Sequence, residues 1–170
     1  GFTLPTIAQP TQEGETEKVA VGLTSASEAD WKAKLDEAVA GRGDKWTRGL
    51  TLAAARLDGE RRFQSRDALA ERLTRMTQKT LRDMLKDPEA ELRRAACLAA
   101  AMKEDSEMIP DLISKLADPN EFVVRAARAG LKSFGQIGTD FGPRNGADDD
   151  AKTKAAEAWA AWYEKTFKKK

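Results

Sequence analysis

The sequence predicts an all-α fold of stacked helical hairpins, and three observations carry that reading. Moving the chain by 31 positions, the interval from Leu81 to Leu112, lays Leu85 on Leu116, Asp87-Pro88 on Asp118-Pro119 and Arg94-Ala95-Ala96 on Arg125-Ala126-Ala127. A period of that size marks supersecondary units that bury their apolar faces only against a neighbour. Within each copy the apolar residues recur at helical spacing, and an Asp-Pro step separates two helices because the residue before proline is pushed out of the α region. At 170 residues the chain is long enough to bury about 70% of the surface its unfolded form exposes, so a real core is available.

Taken in order, residues 1–24 carry Pro5, Gln9, Pro10, Gln12 and several threonines without a sustained period, and read as a flexible or loosely packed arm. Residue 1 is Gly rather than Met, which fits removal of an upstream segment. Such a Thr/Pro/Gln-rich start suits a chain exported from a bacterial cell and a trimmed cytoplasmic one equally. From 25 to 170 the chain reads as one helical domain.

A first helix begins at Ser27, an N-cap with Asp30 three residues on, and ends at Gly41 in a left-handed position. Trp31, Leu35, Ala38 and Val39 share its apolar face. Residues 44–76 form a degenerate unit. A helix from Asp44 carries Trp46, Leu50, Ala53 and Leu57, and Asp58-Gly59 stops it; another near Gln64 to Met76 carries Leu69 and Leu73.

Two clear units follow, 77–104 and 105–134. In the first, Thr77 or Thr80 caps a short helix with Leu81, Met84 and Leu85, and the next helix turns Leu92, Ala95, Ala96, Ala99 and Met102 inward. In the second, Pro110 sits in a first helical turn, where its missing N–H costs little, ahead of Leu112, Ile113 and Leu116. Val123, Ala126, Ala127, Gly130, Leu131 and Phe134 complete the stripe. Residues 135–147 hold four glycines and Pro143 and read as an ordered loop pinned by Ile137 and Phe141. A capping helix over 148–168 has Asp148, Asp149 and Asp150 at its start and Lys168, Lys169 and Lys170 at its end, the signs that the helix dipole favours. Trp31 and Trp46, and then Trp159 and Trp162, read as the lids of the stack.

The segments Leu81 to Met102 and Leu112 to Phe134, with their L-x-x-x-L-x-D-P turn and R-A-A second helix, resemble HEAT-like repeats of the short bacterial type, also found in phycocyanobilin lyases. The resemblance covers about a third of the chain strongly and 44–76 weakly. It implies a right-handed α-α superhelix with atypical capping helices. It also implies a ladder between units, made by the turn aspartates Asp87 and Asp118 with Arg94 and Arg125, and a role in protein binding. The repeat is a scaffold shared by enzymes and non-enzymes, so lyase chemistry does not follow from it.

The composition narrows the chemistry further. There is no histidine, which removes Ser-His-Asp and Cys-His arrangements, HExxH metal sites and histidine general bases together. The glycines of Gly41-Arg42-Gly43 and of Gly135 to Gly138 follow helices rather than strands and read as helix stops, not phosphate cradles. The Asp148 to Asp150 run lacks the alternating ligands of a calcium loop and reads as a helix cap. No cofactor and no metal is expected. Lys and Arg number 29 against 28 Asp and Glu, and the arginines are interleaved with acids, so a basic stripe for nucleic acid is not built. No apolar run approaches the roughly 20 residues that span a bilayer, so insertion into a membrane is not expected.

The reading is therefore a non-catalytic repeat scaffold that binds another protein through the second helices of its units. The expected contact residues are Arg93, Cys97, Val124 and Arg128, which flank the apolar stripe without belonging to it. Cys97 reads first as a small core residue among alanines, and the repeat register that lays it on Arg128 keeps a surface thiol open beside that. Two other readings stand beside this one: an enzyme or subunit related to bilin lyases, and a binder of nucleic-acid backbone through an arginine ridge.

Overall fold

The helix signals are read by the backbone largely as spelled. The computed structural model describes residues 1, 3, 4 and 11–168, and among these it contains nine α-helices and no strand. Pro5, Gln9, Pro10, Lys169 and Lys170 lie outside the described residues. By its internal contacts the chain divides into two units, 1–65 and 66–170, with the division inside α4 (Gly59–Leu73). No helix of the described residues is long and apolar enough to cross a membrane.

In the first unit the expected loose arm is corrected. Residues Gln12–Thr24 form a helix, α1, whose first turn is capped by the Thr11 hydroxyl accepting from the Gly14 amide at 3.1 Å. α1 packs along α3 (Asp44–Arg56), burying Ala20 and Leu23 on the side of Leu50, Ala53 and Ala54. Gly49 explains the close approach, since a Cβ there would lie 2.4 Å from Val19 Cγ1 and 3.1 Å from the Thr16 carbonyl. Arg56 closes the contact by donating to both Glu17 carboxylate oxygens at 2.7 and 2.9 Å.

Helix α2 (Glu28–Ala40) starts as expected, with the Ser27 hydroxyl accepting from the Asp30 amide. Its end differs. Gly41 is extended rather than left-handed (φ −57°, ψ 144°), and the Trp46 ring would lie 2.5 Å from any Cβ, so glycine is required there by packing. The left-handed residue is Gly43, at φ 106°. Trp31 is buried, donating its indole N–H to Gln64 with the Arg61 guanidinium 4.6 Å above its ring. α4 begins at Gly59, five residues before the expected start at Gln64.

In the second unit the repeats appear as two hairpins. α5 (Gln78–Met84), capped by the Thr77 hydroxyl, packs on α6 (Ala90–Met102), and α7 (Ile109–Ser114) packs on α8 (Glu121–Phe134). One 3-10 turn, Ser106–Met108, leads into α7, and another, Lys115–Ala117, leaves it. The second helices α6 and α8 run side by side, and small residues make this possible: a Cβ on Gly130 would sit 3.3 Å from Ala101 Cβ and 3.5 Å from the Cys97 carbonyl. Leu81, Leu85, Leu92, Leu112, Leu116 and Leu131 are fully or almost fully buried, each worth roughly 1.5–3 kcal/mol of removal from water. The Asp-Pro turns are alike in detail, since Asp87 accepts from the Glu89 amide and Asp118 from the Asn120 amide, both at 2.9 Å.

α9 (Asp149–Phe167) lies against α7 and the turn that follows it. The Asp148 carboxylate caps it, accepting from the Ala151 amide at 2.8 Å. Trp159 is fully buried, donates to the Gly142 carbonyl at 2.7 Å and meets Phe141 and Trp162 edge to face. Two expected core residues are exposed instead. Met102 ends α6 with 56% of its surface in water, and Ile137 stands free of the loop it was expected to pin.

Candidate functional site

The C-terminal half of α4, α6 and α8 are the successive second helices of the second unit, and between them runs a groove of about 490 Å³. Its floor is small and apolar: Ala70 from α4, Ala101 from α6, Ala129 and Gly130 from α8. Leu98 and Met102, one turn apart on α6, rise from that floor, and Leu98 is only half-buried. Asp67 and Glu71, also one turn apart and exposed, form the edge on α4, with Ser133 on the far side. Neither carboxylate takes part in an ion pair among the described residues.

The expected contact residues lie elsewhere. Cys97 is completely buried, its thiol pushed up to about 12 by loss of water, and Val124 is 2% exposed, so neither presents a side chain to a partner. Arg93 is engaged within the fold. It donates through Nε and Nη2 to Asp118 at 2.8 and 3.0 Å, and through Nη1 to the carbonyls of Asp87 and Pro88 at 2.9 Å each. Arg128 holds Asp140 in a two-pronged pair, one prong at 3.0 Å. The outward stripe of α6 begins one residue further on, at Leu98, and one residue is a rotation of about 100° on a helix.

The ladder is real but uses other rungs. Arg93, not Arg94, reaches Asp118, and Arg66 on α4 donates to Glu91 at the start of α6. Both rungs span 25 residues, but they end at different places: Asp118 is the turn aspartate before α8, whereas Glu91 lies in the first turn of α6. Burial pushes the Asp118 carboxyl up, but hydrogen bonds from Arg93 and the Asn120 amide outweigh it and hold the group below its ordinary value. Arg125 lies 3.8 Å from Glu121 on its own helix, and its guanidinium faces the Phe122 ring. Arg94 is half-buried, and its buried Nη1 has no hydrogen-bond partner; burial and the nearby Arg66 charge lower its pKa. Asp87 accepts the Glu89 amide with its carboxylate and an Arg93 N–H with its carbonyl.

This distribution sets the charge that a ligand meets. Arg66, Arg82, Arg93 and Arg128 are each paired with a carboxylate, which leaves them poor competitors for phosphate. The groove edge carries Asp67 and Glu71, the wrong sign for phosphates and for the propionates of a linear tetrapyrrole. A profile for HEAT repeats matches residues 47–136, just over half of the chain. Curated proteins and solved structures returned no match. The match begins within α3 and ends just after α8, taking in the Asp-Pro turns and both arginine rungs. On that ground the chain belongs to the HEAT-repeat family, and its helices form an α-solenoid.

Proposed function

We propose that this chain is a non-catalytic scaffold that docks another protein on the second helices of its repeats, at the groove between α4, α6 and α8. HEAT repeats commonly serve as protein-interaction scaffolds. One observation carries the local assignment: Leu98 and Met102 remain accessible over a floor of alanine and glycine, where a folded chain with no partner would gain by covering them. The absence of histidine from the sequence removes the commonest general acid–base from any site this chain builds, in keeping with a non-catalytic role.

A photo-crosslinking residue placed at Leu98, and separately at Lys79 on the opposite, first-helix side of the repeat, tests this in cells that make the protein. Adducts from position 98 that are missing from position 79 support docking on the second helices. Adducts from 79 alone, or from neither, overturn it.

A further inference from the structure

Resting on that reading, we infer that the occupant of the groove is an amphipathic helix of a partner protein, apolar along one stripe and lined with Lys or Arg along the edge that meets α4. The argument begins from spacing. Leu98 and Met102 form one ridge at a four-residue interval, and Asp67 and Glu71 form a second at the same interval on the neighbouring helix. A helix presents side chains at i, i+3, i+4 and i+7, so it meets both ridges in register, with apolar residues on one and cations on the other. An extended segment alternates its side chains every second residue and fits neither. Extended peptides gain affinity by pairing with a sheet edge, and there is none among the described residues.

Depth supports the same occupant. The floor residues Ala70, Ala101 and Ala129 carry nothing beyond Cβ, which lets the axis of a third helix come close. Met102 gives a flexible, polarizable edge that adapts to a neighbour's shape.

Charge then selects among helices. Arg94, one turn before Leu98, is close enough to Asp67 to be attracted to it but makes no ion pair with it, so both rim carboxylates are available to cations from outside. A second copy of this chain offers no basic edge from this groove: docked α4 rim to α4 rim it sets like charges against each other, which costs affinity, and docked the other way round it meets Asp67 and Glu71 with Ser133. The acidic rim therefore favours a partner that is basic along this edge.

The test uses the whole chain and three synthetic peptides of about five helical turns, followed by fluorescence anisotropy. One carries leucines at i, i+3, i+4 and i+7 with lysines along one flank; the second has glutamates for those lysines; the third is the lysine peptide with two central prolines. The lysine peptide should bind at least about tenfold more tightly than the glutamate peptide, a ratio that falls as salt is added. The double variant D67K/E71K should invert the preference, and Leu98→Glu should abolish binding, with circular dichroism showing both variants folded. The proline peptide should not bind.

Equal binding of the lysine and glutamate peptides overturns the inference, as does a preference that D67K/E71K leaves unchanged or a proline peptide that binds as well. Self-association of the chain that Leu98→Glu abolishes overturns it too, because it seats a second copy in the groove. The crosslink from position 98 separates the two readings: if it forms while the peptides show no charge preference, the docking face stands and only the helical, basic occupant is lost.

Discussion

Replacing Arg93 with methionine puts the joint between the repeats under direct load. Arg93 makes four hydrogen bonds, two to the Asp118 carboxylate and two to the carbonyls of Asp87 and Pro88, all between 2.8 and 3.0 Å. Its removal leaves Asp118, whose side chain is 3% exposed, with the Asn120 amide at 2.9 Å as its remaining hydrogen-bond donor. Breaking a buried pair from one side costs about 3–5 kcal/mol, because the surviving charge is stranded. The Arg93 side chain keeps 13% of its surface in water, and solvent reaching the stranded carboxylate trims the expected loss to about 2–3 kcal/mol. Arg94→Met is the matched control. That arginine is partly desolvated and its Nη1 has no acceptor, so exchanging it for an apolar side chain of similar length should be neutral within about 1 kcal/mol or stabilising. Urea denaturation of both variants, followed by far-UV circular dichroism, gives the comparison. If Arg94→Met loses as much stability as Arg93→Met, the rung has been assigned to the wrong arginine and the account of the joint fails.

Three further outcomes are expected. Arg128 hydrogen bonds hold the Asp140 carboxyl at about 2, below its ordinary 3.8, with burial opposing and the Gly142 amide assisting, so its contribution is intact above about pH 4 and is lost as pH falls toward 2. With solvent screening that contribution is about 1 kcal/mol, and Asp140→Asn should flatten the acid limb of a stability–pH curve; an unchanged limb would contradict the assignment. Gly49→Leu forces a side chain into the space of Val19, costs about 1–3 kcal/mol, and should speed tryptic cleavage after Lys18, whereas unchanged protection would show that α1 does not rely on this notch. Trp159→Ala removes a fully buried indole and its bond to the Gly142 carbonyl and should cost about 3–5 kcal/mol, read as a lowered urea midpoint; a loss under 1 kcal/mol would mean that α9 is not held by this ring.

What could be read from the chain alone was what local chemistry dictates. The doubled Asp-Pro pattern gave the two hairpins, and Ser27, Thr77 and Asp148 cap their helices as their side-chain chemistry requires. Rotation about a helix axis was harder to read. Arg93 and Arg94 differ by one step, and a repeat register that aligns Arg94 with Arg125 does not say which of two adjacent arginines faces the next turn. The same step separates buried Cys97 from half-exposed Leu98, which moved the candidate surface off the expected contact residues. Helix α1 was hidden for another reason. It has a cap at Thr11 and acids at Glu13 and Glu15, but its apolar stripe is short, and a glycine in a distant helix makes room for it. Met102 and Ile137 illustrate the reverse case, apolar residues that periodicity sends inward but that stand where the element or loop ends beyond the core.

The single thiol, sealed between the two neighbouring rods of the tandem hairpins, makes this molecule its own stopwatch. An alkylating reagent in solution cannot reach the sulfur while the rods are closed, and with no other cysteine in the chain every labelling event counts one excursion of that seam. Without any engineered probe, the pace of modification measures how often the stack breathes, and a ligand that clamps the rods together should slow the clock.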